Sequence, residues 1–320
     1  VCAWRAPIIL AGLLLLASLP QKYASAYDWI SQGNYKFLFE SPVLKSLADR
    51  VRREDPPYRA ASFEMYPNYL HASGIETIGG YQVFHTRRFA EFWGKVLRRH
   101  SGGPPQKGEQ DIDRIFLNPV KQPGLASWPL DSLYRMPLFS LASVKYFVSR
   151  DPMTAFGWQA IHRAQRPWAG MSQKEKAISN LKGNFTGRTH LYLYENVHAF
   201  PRAFFVRRLA RFTDGRLALD ALAEAGLETL RTTGFVVQKD LPPQLESPIS
   251  LSQGAARFAQ YGADRIVIIT ELSGSGVLVI GQNYTPDWKC ETKDKKLATF
   301  PIDHTFLGVS VSKEITSLTC

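Results

Sequence analysis

Cysteine is scarce in this chain, which has three cysteines in 320 residues: Cys2, Cys290 and Cys320. Three cysteines cannot build a disulfide-rich scaffold, and without a Cys-x-x-Cys pair or a Cys/His cluster they do not indicate a structural zinc site. The sequence also lacks a P-loop, a G-x-G-x-x-G fingerprint, a nucleophile elbow and an H-E-x-x-H motif. We therefore predict no metal site and no cofactor site within the chain.

Charge is unevenly divided, since 39 Lys and Arg stand against 28 Asp and Glu and give a net charge of +11. This balance suits an anionic partner such as nucleic acid, phospholipid or a lipid-linked phosphate, without choosing among them. Hydrophobic residues make up 45% and aromatic residues 12%, which excludes a disordered or collagen-like chain. The length fits two domains at about 150 residues each.

The longest apolar run lies near the start, where Ala6 to Leu19 contains no charged residue. A membrane-spanning helix needs about 20 apolar residues, so this run spans a bilayer only together with its flanks. The alternative is a signal peptide, with Arg5 as its basic region and residues 24–26 (Ala-Ser-Ala) as the cleavage site. Either interpretation of residues 1–26 leaves the chain after Tyr27 outside the cytoplasm. We therefore expect a membrane location and an extracytoplasmic bulk, with membrane lipid as a partner and no nucleic acid.

Hydrophobic periodicity predicts a mixed α/β region over residues 40–240. Ser41 and Pro42 have the residue types of an N-cap and a first helical position, and apolar residues follow at helical spacing up to Val51. Helices are predicted at 43–51, 86–99 and 216–230, strands at 58–63, 144–148, 190–195 and 203–206, and a loop with a short helix at 155–183.

Beyond a Pro-rich connector at 241–248, the pattern changes to short apolar runs. Strands are predicted at 256–261, 265–272, 275–280, 297–302 and 305–311. Short strands at this spacing are typical of an antiparallel sandwich. The sequence thus predicts an α+β fold: an N-terminal transmembrane helix, a mixed α/β exoplasmic domain at 40–240, and an antiparallel β-sandwich domain at 245–320.

Four residues are candidates for binding a glycan or another acceptor. The rings of Tyr81, Trp93 and Trp288 are of the type on which sugars stack, and Glu76 could serve as an acid, a base or a hydrogen-bond acceptor. The alternative for each aromatic residue is packing within the fold.

A further surface is predicted on the helix from Thr86 to Arg99, which has one apolar face and one basic face. This basic face is either a solvated surface or a patch that contacts anionic lipid. Its residues are Arg87, Arg88, Lys95, Arg98 and Arg99.

Four segments resemble, in order, the YfhO-type bacterial polytopic membrane proteins. YPNYLHASGIETIGGY (66–81) resembles their Gly-Ile-x-Thr-Ile-x-Gly-Tyr stretch, and LASVKYFVSRDP (141–152) is similar to a strand in which Asn usually replaces Ser143. ENVHAFPRAFFVRRL (195–209) resembles their Pro-Arg-Ala-Phe segment. Residues 275–311 resemble their closing β-domain, although Lys293 to Lys296 stands where an Asp-Gly-Lys hairpin is usual.

This resemblance covers residues 45–315 and implies a GT-C type glycosyltransferase, which moves a sugar from a polyprenyl-phosphate carrier to a cell-envelope glycan or lipid acceptor. In GT-C enzymes the catalytic carboxylates lie in the first extracytoplasmic loop, a region that this chain does not contain. The resemblance therefore implies a C-terminal exoplasmic portion that positions a glycan or acceptor. Its partners are then a lipid-linked sugar and the upstream transmembrane region of the same protein.

Two other interpretations remain open. One is a secreted or membrane-anchored carbohydrate-binding or envelope-scaffolding protein without enzymatic activity; apolar spans encoded before Val1 distinguish it from the transferase portion. The other is an independent hydrolase, which needs two carboxylates about 5–10 Å apart in one cleft. The sequence also leaves open whether Cys290 and Cys320 pair, which an exported setting permits.

Overall fold

The computed structural model describes residue 18 and residues 40–56, 58–63, 65, 67–81, 86–97, 114–115, 127–164, 170–186, 190–246, 250–262 and 264–320. Apart from Ser18, the predicted transmembrane helix or signal peptide at 1–26 lies outside these residues. Among the helices that are described, none combines the length and the apolar character that crossing a membrane requires.

Helices and strands alternate in the described chain, which has a mixed α/β structure with several sheets. The helices are α1 Pro42–Arg52, α2 Asn68–Ala72, α3 Arg87–Val96, α4 Leu130–Leu133, α5 Met136–Leu141, α6 Gln173–Thr186, α7 Gly215–Glu224 and α8 Leu227–Thr232. The strands up to residue 237 are β1 Arg59–Phe63, β2 Gly80–Tyr81, β3 Arg114–Ile115, β4 Trp128–Pro129, β5 Val144–Ser149, β6 Met153–Thr154, β7 Trp158–His162, β8 Tyr192–Asn196, β9 Ala203–Val206, β10 Arg208–Phe212 and β11 Thr233–Val237. The later strands are β12 Gly254–Tyr261, β13 Ile266–Leu272, β14 Gly276–Asn283, β15 Cys290–Glu291, β16 Lys296–Leu297, β17 Thr299–Ile302, β18 Phe306–Val311 and β19 Ser317–Thr319.

The first large sheet has the strand order β1-β5-β8-β7, with β1 parallel to β5 and the other pairs antiparallel. Successive side chains of β5 point to opposite faces of this sheet. Tyr146 and Val148 pack against α1, whereas Phe147 joins the main apolar core with Phe63 and Phe139. The sheet therefore separates two apolar layers, and α1 covers one of them.

Helix α1 begins where the sequence predicts it. The Ser41 hydroxyl accepts a hydrogen bond from the Leu44 N–H at 3.4 Å, and Pro42 occupies the first turn. The N-cap supplies an acceptor to an N–H group that has no partner within the helix. Leu44, Leu47 and Val51 are buried on the face toward the sheet, which confirms the predicted helix.

Two antiparallel sheets lie in the second half of the chain, with the orders β12-β13-β19-β15-β16 and β17-β18-β14-β9. Both contribute to one apolar cluster, with Ile268 and Leu318 from the first sheet and Phe205 and Leu278 from the second. Strand β9 precedes the predicted boundary at residues 240–245 and yet pairs with β14. The two predicted regions therefore share one sheet.

The prediction of a single helix at 216–230 is wrong. Ala225 adopts an extended conformation that ends α7, and a second helix, α8, begins after Gly226. The prediction for 155–183 missed β7, which is held by antiparallel pairing to β8. Its side chains are half buried or exposed and show no clear alternation, so its conformation is set by the neighbouring strand and not by its own pattern.

Cys290 and Cys320 form a disulfide, which answers the question that the sequence left open. It joins β15 to the residue after β19, across a sequence separation of 30. A cross-link over such a loop restricts the unfolded chain and stabilises the fold by about 3–4 kcal/mol.

We therefore expect Cys290→Ser/Cys320→Ser to lower the free energy of unfolding by about 3–4 kcal/mol in urea titrations followed by circular dichroism. Cys2→Ser serves as the control and is expected to leave the transition midpoint unchanged in the oxidised protein. Equal midpoints for the double variant and the control would show that the disulfide does not stabilise the fold.

Candidate functional site

A partly buried charge cluster, here the Glu76 cluster, consists of Arg59, Glu76, Arg202, Tyr261 and Gln282. Oε1 of Glu76 accepts hydrogen bonds from Arg59 Nε at 2.7 Å and from Arg202 Nη2 at 3.0 Å. Its Oε2 accepts from the Tyr261 hydroxyl at 2.9 Å, and the Gln282 amide donates to the same hydroxyl at 2.8 Å. The carboxylate is thus held from three sides.

Arg202 is the most deeply buried member, with a side chain that is 1% exposed. Burial, together with the nearby charge of Arg59, lowers the pKa of Arg202 to about 9 although Glu76 favours its charged form. Its Nε and Nη1 have no hydrogen-bond partner among the described residues. The guanidinium lies 5.0 Å from the ring centre of Tyr261, a cation–π distance.

Glu76 stays ionised in this setting. Burial acts to raise the pKa of its carboxyl, but the charges and hydrogen bonds of Arg59 and Arg202 outweigh that effect and lower the pKa below its ordinary value. A carboxylate that is engaged by two arginines neither releases nor takes up a proton near neutral pH. Its position favours a structural role over the acid, base or binding role that the sequence suggested.

Four segments of the chain meet at this cluster: residues 66–81, 141–152, 195–209 and 275–311. Glu76 comes from the first segment, and Arg202, which binds it, comes from the third. The second segment contributes the Ala142 carbonyl, which accepts from Arg59 Nη1 at 3.2 Å, and the fourth contributes the Gly281 N–H, which donates to the Arg202 carbonyl at 2.7 Å. The order of motifs in the sequence thus corresponds to one contact region in the fold.

A second feature is an open cleft of about 770 Å³ between α1, β5 and β8, here the α1 cleft. Four cations and three carboxylates lie in its lining: Lys45, Arg50, Arg53 and Lys145, with Asp49, Glu54 and Glu195. Such a lining offers many N–H donors and carboxylate acceptors to a ligand. The charged residue within the apolar strand Val144–Ser149 was the sequence signal that could have indicated it.

Two carboxylates of the α1 cleft contact the same ammonium group. Lys145 is hydrogen-bonded to Glu54 and lies 3.7 Å from Glu195, which also pairs with Arg50 at 3.1 Å. The Tyr146 hydroxyl donates to Glu54 at 2.7 Å. Burial and the Glu54 contact raise the pKa of Tyr146, so the phenol keeps its proton. Glu54 and Glu195 thus lie in one cleft, as the hydrolase interpretation requires, with the Lys145 ammonium in contact with both.

The predicted aromatic platforms have different surroundings. Trp93 is 3% exposed and lies in the main core against Phe89 and Phe139, so its ring is not accessible to a sugar. Trp288 is half buried, and its indole N–H donates to the Asn283 carbonyl at 3.1 Å. Tyr81 belongs to β2, paired with β3. The three residues and Glu76 do not form one described site.

The predicted basic face on α3 has carboxylate partners within the protein. Arg87 pairs with Glu91 at 2.7 Å, Arg88 pairs with Asp240 at 2.8 Å, and Lys95 is hydrogen-bonded to Asp220 of α7. Arg98 and Arg99 lie outside the described residues. Arg88 and Lys95 therefore connect α3 to neighbouring elements, whereas Arg87 is highly exposed.

A tight turn joins β17 to β18 beside α3. Two of its three residues, Asp303 and His304, have positive φ angles, +48° and +69°, which non-glycine residues rarely adopt. His304 Nε2 is hydrogen-bonded to Glu91 Oε2 at 2.9 Å, and Asp303 Oδ1 accepts from the Phe235 N–H at 2.8 Å. Burial raises the pKa of Asp303 to about 7 against the lowering effect of that hydrogen bond.

No protein-family model, no curated protein and no solved structure matches this chain. In the part of the chain that the structure describes, no group of three or more His, Cys, Asp or Glu side chains is placed to hold a metal ion.

Replacement of Glu76 by Gln leaves two buried arginines without a carboxylate, and we expect a loss of about 3–5 kcal/mol in the free energy of unfolding at pH 7. Because the pKa of Glu76 is lowered in the fold, its contribution is fully present above the unfolded value of about 4.5 and is lost as the pH falls through the folded value. Urea titrations of both proteins from pH 7 to pH 3 measure the difference, which is expected to shrink below pH 4.5.

Glu224→Gln is the matched control for this prediction, since Glu224 pairs with Arg135 at the surface. An exposed pair contributes at most about 1 kcal/mol. A Glu76→Gln variant that loses no more stability than this control would contradict the anchoring role of the Glu76 cluster.

Asp303→Asn tests the buried turn. An acid whose folded pKa is raised from 3.8 to about 7 loses stability as the pH rises between those two values, at about 1.4 kcal/mol per pH unit. Asparagine keeps the acceptor for the Phe235 N–H and tolerates the positive φ. We expect the variant to gain thermal stability over the parent between pH 5 and pH 7, with no further gain above pH 8; a pH-independent difference in melting temperature would contradict it.

Proposed function

We propose that this chain is the C-terminal exoplasmic portion of a YfhO-like membrane glycosyltransferase and that it positions a glycan or lipid-linked acceptor. In this proposal the α1 cleft holds the acceptor. The polyprenyl-phosphate sugar donor and the catalytic carboxylates belong to the upstream transmembrane region of the same protein. The chain itself then carries no catalytic step.

The observation that carries the proposal is the lining of the α1 cleft. A sugar presents hydroxyl groups that both donate and accept hydrogen bonds, so it needs acceptors and donors side by side. Asp49 and Glu195 provide acceptors, whereas Lys45 and Arg53 provide donors. Lys45 and Arg53 are exposed, which makes them accessible to a ligand in the cleft.

The ion pairs of the cleft also support binding. Arg50 and Lys145 hold Glu195 in place before a ligand arrives. A preorganised polar group loses less conformational entropy on binding than a free one. The carboxylate of Glu195 is therefore held in place without further rearrangement.

The meeting of the four resembling segments at the Glu76 cluster supports the family part of the proposal. A pattern of motifs that come together in space is expected when the motifs maintain one fold. The proposed fold is an N-terminal transmembrane helix, a mixed α/β exoplasmic domain at 40–240 and a β-sandwich domain at 245–320. Strand β9 of the α/β region completes one of the two sheets that share the apolar cluster described above.

The disulfide between Cys290 and Cys320 supports an extracytoplasmic location, since disulfides persist in oxidising compartments. In that location the partners are membrane lipid and a glycan or lipid-linked sugar. A carbohydrate-binding or envelope-scaffolding protein without enzymatic activity is the alternative, and the same cleft suits it. Finding apolar spans encoded before Val1 would favour the transferase portion over this alternative.

The α1 cleft can be tested on a glycan array with the full chain in a detergent that carries no sugar headgroup. Arg53→Gln removes a donor from the cleft and is expected to weaken glycan binding about tenfold or more, as loss of one charge-assisted hydrogen bond does. The array is read with fluorescently labelled protein over a range of concentrations.

Arg216→Gln is the matched control, because Arg216 is an exposed arginine of α7 and does not line the cleft. It is expected to bind as the parent does. Equal losses for Arg216→Gln and Arg53→Gln, or no glycan bound by the parent chain, would overturn the proposed use of the cleft.

A further inference from the structure

Helix α6, Gln173–Thr186, has its apolar side directed outward. Ile178, Leu181 and Phe185 follow one another at spacings of three and four, so they lie on one face of the helix. They are 43%, 38% and 62% exposed. No residue of α6 belongs to the three apolar clusters of the described chain. An amphipathic helix on a globular protein ordinarily directs this face to the core.

The polar side of α6 is the side that the protein covers. Ser179 and Asn180 are half buried, and Gly183 is buried. The arrangement is therefore inverted: polar residues face the protein, and the large apolar residues face outward. A contiguous exposed apolar surface of this kind marks an interaction site with a partner or a membrane.

Positive charge borders the outward face. Lys174 and Lys182 are exposed, and each lies four residues, about one helical turn, from Ile178. The acidic residue of the helix, Glu175, is half buried and accepts hydrogen bonds from the N–H and the hydroxyl of Ser172, both at 2.8 Å. The outward side thus presents apolar groups and lysines, a combination that is complementary to an anionic bilayer surface.

Helix α3 lacks this combination, although its sequence is the more strongly basic. Its apolar residues Phe92 and Trp93 are buried in the main core, and Arg88 and Lys95 pair with carboxylates of the protein. Its apolar surface is used within the fold. Of the two basic helices, α6 is the one whose apolar residues are exposed.

We propose that α6 lies in the interface of an anionic membrane, with Ile178, Leu181 and Phe185 among the acyl chains and Lys174 and Lys182 at the lipid phosphates. This surface would orient the exoplasmic region against the bilayer. The inference rests on the membrane location in the proposed function, and it does not depend on the α1 cleft.

A local fluorescent probe separates α6 from other lipid-binding parts of the chain. The full chain, with Cys2→Ser and Leu181→Cys, is labelled with the environment-sensitive dye NBD and reconstituted into phosphatidylcholine vesicles with or without phosphatidylglycerol. We expect a severalfold rise and a blue shift of NBD emission in the anionic vesicles, and little change in the neutral ones. Lys174→Gln/Lys182→Gln is expected to weaken the response to phosphatidylglycerol about 30-fold, as loss of two lysines near an anionic surface does.

Leu217→Cys, labelled in the same way, is the matched control, since Leu217 is a leucine of α7 that is 52% exposed. Its emission is expected to stay that of a dye in water. The proposal is overturned if the emission of the dye at residue 181 also stays that of a dye in water, or if both dyes respond equally to lipid. It is also overturned if the emission of the dye at 181 changes with protein concentration in the absence of lipid, because that result would indicate that a second copy of the chain covers this face. Glycan binding on the array with no lipid response at 181 would leave the α1 cleft standing and refute the α6 interface alone.

Discussion

The arrangement of the sheets in this chain depends on the contact of the Glu76 carboxylate with Arg59 and Arg202. It joins a loop after α2 and the first strand of the mixed sheet to the residue before β9, which lies 126 residues after Glu76 in the sequence. Removing the charges of Glu76, Arg59 and Arg202 from water costs free energy. The direct hydrogen bonds from the two arginines to the carboxylate offset that cost. The register of these elements is therefore coupled to one carboxylate.

Local patterns predicted the elements whose own residues determine them. Helix α1 was predictable from Ser41, Pro42 and its apolar spacing, and β9 was predicted with the bounds that the structure gives. Strand β7 and the break at Gly226 were not, because pairing to β8 and local capping decide them. The Glu76 cluster could not be predicted from the sequence. Glu76 was a candidate residue, but Arg59, Arg202 and Tyr261 become its partners only through the long-range pairing of the sheets.

The contrast between α3 and α6 shows why charge in a sequence is an incomplete guide to a surface. Helix α3 has the stronger pattern of basic and apolar faces, and that pattern is used to pack α3 against α7 and the turn at Asp303. Helix α6 has a weaker pattern of basic and apolar residues, and its large apolar side chains are exposed. What a basic helix can contact outside the protein depends on which of its charges the fold has already paired.

The pairing of β9 with β14 has a consequence for synthesis of the chain. About 70 residues separate the end of β9 from the start of β14, so β9 leaves the ribosome well before its partner exists. During that interval its apolar residues and unpaired backbone groups form an open strand edge, the kind of surface on which chains associate. Helix α1 and all strands of the mixed sheet precede β9 in the chain. A nascent chain halted between residues 207 and 275 therefore contains every strand of the mixed sheet but lacks β14, with which β9 pairs.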